Sequence, residues 1–234
     1  MTDYTLYYWP LPFRGAFIRS LLALAGASWD EKTPDDVAAL MQQDPGAQPV
    51  PLMAPPVLTF HADGLSISQM PAILGHIGRK HGLLPTDPWR LALTEKLIAD
   101  ANDVLYEITL HNGARMWTQE MWDDYLPRLA RWMAIFEETG HRQGLSLAEG
   151  YLLGTGNPGV ADVVVLNLWG MMVRKLPELR PALEHNAPQI AALADRMASR
   201  PEQAALLETD EANHGDAWCG GQIEQSLRRV LRSA

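Results

Sequence analysis

The sequence predicts a mixed α/β unit over residues 1–82, followed by an all-helical bundle over residues 89–234. Three observations predict it. The short β-prone runs Thr5-Leu6-Tyr7-Tyr8, Trp29-Asp30-Glu31, Val57-Leu58-Thr59-Phe60 and Leu65-Ser66-Ile67-Ser68 all fall in the first part. The segment Gly82-Leu83-Leu84-Pro85-Thr86-Asp87-Pro88 has the turn residues of a linker. Beyond Trp89 the apolar positions recur at helical spacing.

In order along the chain, Pro10 and Pro12 break the first strand. Phe17, Ile18, Leu21, Leu22 and Ala25 then mark a helix over residues 13–25, with Gly26 as its stop. Pro34, Pro45, Pro49 and Pro51 limit the next stretch to a short helix over residues 37–42. Asp63-Gly64 turns a β-hairpin between the last two strands. Residues 69–81 read as a helix that tolerates Pro71 in its first turn. The second part predicts helices over residues 90–111, 119–139, 159–175, 187–198 and 201–207. The third of these is apolar almost all round, as the buried centre of a bundle is.

Composition excludes several classes. With 47% hydrophobic and 20% charged residues, the 234-residue chain reads as globular. A formal net charge of −9 repels nucleic acid and anionic membranes. No apolar run reaches the ~20 residues of a membrane helix, and Met1-Thr2-Asp3-Tyr4 has no signal-peptide pattern. The single cysteine, Cys219, rules out an internal disulfide and C-x-x-C chemistry. The seven histidines show no metal-ligand spacing, so no metal is expected. The expected compartment is the cytoplasm.

Four segments carry a resemblance. Tyr8-Trp9 is followed by four residues, Arg14 and then Arg19. Pro55-Pro56 precedes the hairpin and leads into Val57-Leu58. Ile67-Ser68-Gln69-Met70-Pro71-Ala72-Ile73-Leu74 follows it. Ile98-Ala99-Asp100-Ala101-Asn102 lies on the first helix of the second part. In this order the segments resemble the cytosolic glutathione transferases of the tyrosine type (alpha, mu, pi and sigma), and the resemblance covers essentially the whole chain. It implies a thioredoxin-like first domain, an all-α second domain, glutathione as co-substrate and a homodimer. Tyr8 would then stabilise the glutathione thiolate, and Arg14 would lie beside the thiol. Pro55, with Pro56 as the cis-proline, would pair with the cysteinyl backbone, and Gln69 with Met70 would hold the γ-glutamyl group. Asp100 would reach the glutathione of the partner subunit. A small apolar electrophile is expected between Leu11, Phe13, Tyr106 and Leu110, with the tail around Trp218 as a lid.

These residue types suit that chemistry. A free thiol with a pKa of about 8.5 is mostly protonated at neutral pH. Lowering it by two units takes about 2.7 kcal/mol of preferential stabilisation. A hydroxyl hydrogen bond plus a guanidinium, which stays charged at any relevant pH, can supply that. Plainer readings stand beside each assignment. Tyr7 competes with Tyr8, Arg14 and Arg19 could be solvated helix charges, and Asp162 reads as a helix-start acceptor reaching back toward Gly159. Cys219 is read as lying far from the first strand, which disfavours a cysteine mechanism.

Two departures from the family pattern bear on function. Met70 stands where the family has a hydroxyl residue and cannot donate from its side chain. Pro55 has no N–H, so only its carbonyl remains. For the glycine carboxylate, Gln42, Gln43 and Gln48 are the polar candidates. The alternative function is a glutathione transferase-like protein that binds apolar ligands without catalysis.

Overall fold

The computed structural model describes residues 2–232. Met1, Ser233 and Ala234, which the expected domains include, lie outside the described residues. Its first part holds β1 (Tyr4–Tyr7), α1 (Phe13–Leu24), β2 (Trp29–Glu31), α2 (Pro34–Gln42), β3 (Val57–Phe60), β4 (Leu65–Ser68) and α3 (Met70–Lys80). The sheet order is β2-β1-β3-β4, with β1 and β2 parallel and the other neighbours antiparallel. Tyr4 faces Phe60 and Tyr7 faces Val57 across β1 and β3. A parallel pair requires a crossover, which α1 provides.

The first strand sits one residue earlier than its β-prone run suggests. Tyr4 and Leu6 point into the core, Thr5 and Tyr7 are half-buried, and Tyr8 continues the alternation inward just beyond the strand. Tyr7 instead lies near Lys32, 5.9 Å from its ring centre. The second helix begins three residues before the sequence places it. Thr33 accepts from the Asp36 N–H while Asp36 accepts from the Thr33 N–H, which caps a helix starting at Pro34. Leu6, Phe17, Ile18, Leu21, Leu22, Leu58, Phe60, Met70, Ile73 and Leu74 are buried in one core cluster.

The helical part contains α4 (Pro88–Ile108), α5 (Gln119–Arg142), α6 (residues 160–175), α7 (Arg180–Asn186), α8 (Pro188–Ala198), α9 (Pro201–His214) and α10 (Gly221–Leu231). The sequence predicts neither α7 nor α10, and the helix expected over residues 201–207 runs seven residues further, to His214. Helix α4 also stops before residue 111, because Leu110, His111 and Asn112 all take positive φ, between 43° and 63°. Helix α6 is buried nearly all round, as its composition predicts. It carries a π-helical stretch over Leu166–Gly170 that packs against α8. Asp162 closes its start: Oδ2 accepts from Gly159 N–H at 2.9 Å and Oδ1 from Leu152 N–H at 2.8 Å.

Polar contacts tie the two parts together. Ser20 on α1 donates to Asn167 Oδ1 at 3.1 Å, and Gln203 on α9 donates to the Ser20 carbonyl at 3.0 Å. All three residues are buried. The cleft that results lies between the end of β1, the start of α1, the C-terminal end of α4 and the α10 segment.

Candidate active site

Tyr8 stands at the base of this cleft, 6% exposed. Its hydroxyl accepts the Arg14 backbone N–H at 3.2 Å, which leaves its own hydrogen free to donate. Burial pushes its pKa up to about 12, against the opposing influence of Arg14. The hydroxyl therefore stays protonated across the neutral range, as a donor must. Gly15 makes the packing possible: a Cβ there would lie 2.4 Å from Tyr8 Cδ1 and 2.7 Å from Arg19 Nη1. The glycine one position after the arginine is the sequence signal for this close packing.

The two arginines of α1 differ sharply. Arg19 is buried, not a solvated helix charge. Its Nε and Nη2 hold the Glu31 carboxylate at 2.8 and 2.7 Å, and Nη1 donates to the Leu11 carbonyl at 2.9 Å. It thus fixes the loop from Trp9 to Leu11 beneath the site. Arg14 is half-buried; its guanidinium lies 4.8 Å over the Phe13 ring, and Nε donates to Asn102 Oδ1 at 3.2 Å. Burial lowers its pKa.

A cavity of about 340 Å³ brings together much of the sequence-predicted set. Tyr8, Leu11, Phe13, Arg14, Pro55, Pro56, Gln69 and Tyr106 all line it. The Pro55–Pro56 peptide bond is cis. Gln69 takes φ 72°, an unusual value for a side-chain-bearing residue, and donates its N–H to the Pro56 carbonyl at 3.3 Å. Tyr106 stacks on His111 with ring centres 4.7 Å apart.

Other predicted residues lie elsewhere. Met70 is fully buried in the core, so its side chain is absent from the cavity wall. Leu110 does not line the cavity either; the left-handed turn packs it against the core and presents Thr109 and Asn112 instead. Asp100 lies off the cavity of its own chain and pairs with Lys96 one turn earlier. Gln48 is committed to its own loop, donating to the Leu40 carbonyl and accepting from Leu52 N–H.

The C-terminal segment requires two corrections. Trp218 is 1% exposed and meets Phe13 edge-on at 5.3 Å, so its side chain packs in the core behind Phe13 and not over the cavity as a lid. Cys219, distant from the first strand in sequence, lines the same cavity as Tyr8. Burial and the nearby Glu224 carboxylate push its thiol up to about 12, which keeps it protonated and weakly nucleophilic. Glu224 shapes this wall: one carboxylate oxygen accepts backbone N–H bonds from Trp218, Cys219 and Gly220. The apolar positions Ile223, Leu227, Val230 and Leu231 were the helical signal that could have revealed α10.

Among the described residues, no group of three or more His, Cys, Asp or Glu side chains is placed to hold a metal ion. None of the described helices is long and apolar enough to cross a membrane.

Comparison with known proteins identifies the family. The family pattern "Glutathione S-transferase, C-terminal domain" matches residues 93–230. Glutathione S-transferase P of Bos taurus is 27% identical over 214 residues, covering 90% of this chain and 94% of the relative. The Homo sapiens protein of the same name is 26% identical over the same shares. Among solved structures, the Pi-class glutathione S-transferase of Onchocerca volvulus superposes with a TM-score of 0.75 at 21% identity, covering 94% of this chain and 98% of that one. A glutathione S-transferase of Necator americanus described as monomeric gives 0.71 at 22% identity, over 88% and 97%. A four-stranded thioredoxin-like sheet, a buried central helix and a family match across more than half of the sequence lead to one assignment: the chain belongs to the glutathione S-transferase family.

Proposed function

We propose that this protein joins the glutathione thiolate to a small apolar electrophile. The observation that carries the reading is the buried Tyr8 hydroxyl, protonated and with its hydrogen uncommitted, in one cavity with Arg14, Pro55, Pro56 and Gln69. Residues 1–82 would hold the peptide and residues 89–234 would supply the electrophile wall. The Pro55 carbonyl would accept the cysteinyl N–H, and Gln69 with the Met70 N–H would meet the γ-glutamyl group. The thiol would then lie against Tyr8, which donates to the sulfur as negative charge builds. Arg14 favours the anion by charge. Leu11, Phe13 and Tyr106 offer the apolar surface for the second substrate.

The reading includes a cytoplasmic homodimer with a role in detoxification, in which Asp100 reaches the partner's glutathione across a two-fold axis. A second reading, a non-catalytic carrier of apolar ligands, is favoured by one observation: the buried Met70 side chain provides no donor where the family has a hydroxyl.

Tyr8→Phe keeps the ring and removes the donor. Conjugation should fall by about 10²–10³, while retention on immobilised glutathione persists. Wild-type protein that is retained but does not conjugate a panel of aryl and alkyl electrophiles would instead establish the carrier. Sedimentation of the same preparation as a monomer would remove Asp100 from the ligand set.

A further inference from the structure

Arg14 is a half-buried cation with incomplete pairing. Its Nε donates to Asn102, and among the described residues neither terminal nitrogen has a hydrogen-bond or ion-pair partner. Every other arginine around the site is neutralised: Arg19 by Glu31, and Arg228 by Glu224. Taking a guanidinium even partly out of water without a carboxylate is unfavourable, and the lowered pKa of Arg14 reflects it. A site that retains such a cation is suited to an anion that arrives with the ligand.

Asn102 belongs to α4 in the helical part, whereas Arg14 belongs to α1 in the first part, so the contact spans the domain boundary. An amide oxygen can hold the guanidinium in direction but carries no charge to cancel it. An aspartate at the same place would hold it more firmly and neutralise it. The charged and titratable groups around Arg14 are Tyr8 from the end of β1 and Cys219 from the segment before α10. Arg19 lies on the Tyr8 ring, 5.9 Å from its centre, already engaged by Glu31. None of these supplies a resident negative charge at neutral pH, because Tyr8 and Cys219 are both held protonated.

We propose that Asn102 is a positioning residue for thiol activation, a neutral anchor that aims the Arg14 guanidinium into the cavity without neutralising it. This rests on the transferase reading and adds to it the residue that keeps the positive charge available. It also explains a division of labour across the cleft: the first part supplies donor and cation, and the helical part sets where the cation points.

The test reads the pKa of bound glutathione directly, from thiolate absorbance against pH, and does not depend on turnover. Asn102→Asp gives Arg14 a permanent carboxylate partner. The bound-thiol pKa should rise by about one pH unit, and conjugation near neutral pH should fall by up to about tenfold. Asn102→Gln keeps a neutral acceptor and should titrate close to the wild type. Asn102→Ala, a second measurement should the aspartate variant fold poorly, frees the guanidinium and should raise the thiol pKa while the melting temperature stays nearly unchanged. An unmoved thiol titration in the aspartate and alanine variants, with glutathione still bound, would overturn the role of Asn102 and leave the transferase reading intact. A wild-type bound thiol that titrates like free glutathione would overturn both.

Discussion

Met70→Ser sets two physical effects against each other. On the transferase reading, the serine would restore a hydroxyl where that reading places the γ-glutamyl carboxylate. A hydrogen bond to a charged group contributes roughly 1.5–3 kcal/mol, enough to tighten binding about tenfold or more. That gain requires the hydroxyl to reach the cavity, and the structure argues against it. Met70 is fully buried, opens α3 and shares a core cluster with Leu58, Phe60, Ile73 and Leu74. Truncating a buried methionine to alanine costs about 2–5 kcal/mol, and a serine hydroxyl left without a partner there adds its own desolvation. For a chain of this size each kcal/mol lowers the melting temperature by about 2–4 °C. The variant should therefore melt roughly 4–20 °C lower, with glutathione affinity unchanged or weaker. Calorimetric titration well below the transition, paired with thermal melts, reads both quantities. A variant that melts within about 2 °C of the wild type and binds glutathione ten times more tightly would refute the packing argument.

Gly15→Ala would gain about 1 kcal/mol of helix propensity in isolation. The added methyl meets the Tyr8 ring at 2.4 Å, so the ring must shift and conjugation should drop by about tenfold to a hundredfold; unchanged turnover would mean that the ring yields without consequence. Asp162 tests linkage. Burial raises its pKa from the ordinary 3.8 to about 6, so between those values the folded state holds a proton that the unfolded state has lost. Its contribution to stability is complete below about pH 4 and declines as pH rises to about 6, by up to about 3 kcal/mol. Denaturation from pH 4 to 7, read as the difference between wild type and Asp162→Asn, should show this decline, and a difference independent of pH would contradict it.

The elements that were legible in the sequence are those whose signal is local. The hairpin over Val57–Phe60 and Leu65–Ser68 was readable because two β-prone runs flank Asp63-Gly64. The central helix was readable because its apolar residues leave no polar face. The elements that were missed have local signals that conflict. Gly220 and Gly221 open α10 and resemble a flexible tail, although Ile223, Leu227, Val230 and Leu231 recur at helical spacing after them. The turn at Leu110–Gly113 places three non-glycine residues at positive φ; His111 and Asn112 tolerate that region better than most residues, whereas Leu110 does not, and α10 packs against the turn.

The candidate site is legible in a different way. Tyr8, Arg14, the proline pair and Gln69 are singled out by their order along the chain, and all of them line one cavity. Their electrostatic condition could not be found that way. Arg14 and Arg19 are the same residue type, five apart on one helix, and nothing near them in sequence distinguishes them. Glu31, from β2, reaches one and makes it structural; Asn102, from α4, reaches the other and leaves its charge in place. Cys219 shows the same limit in reverse. Its distance along the chain suggested that it lay off the site, whereas the fold puts it on the cavity wall, where burial and Glu224 keep it protonated. Helical and strand periodicities are properties of neighbouring residues, so they survive in a single sequence. Whether a charge is cancelled, aimed or suppressed depends on which distant side chain the fold delivers to it. In this protein the charge left uncancelled beside Tyr8 is that of Arg14.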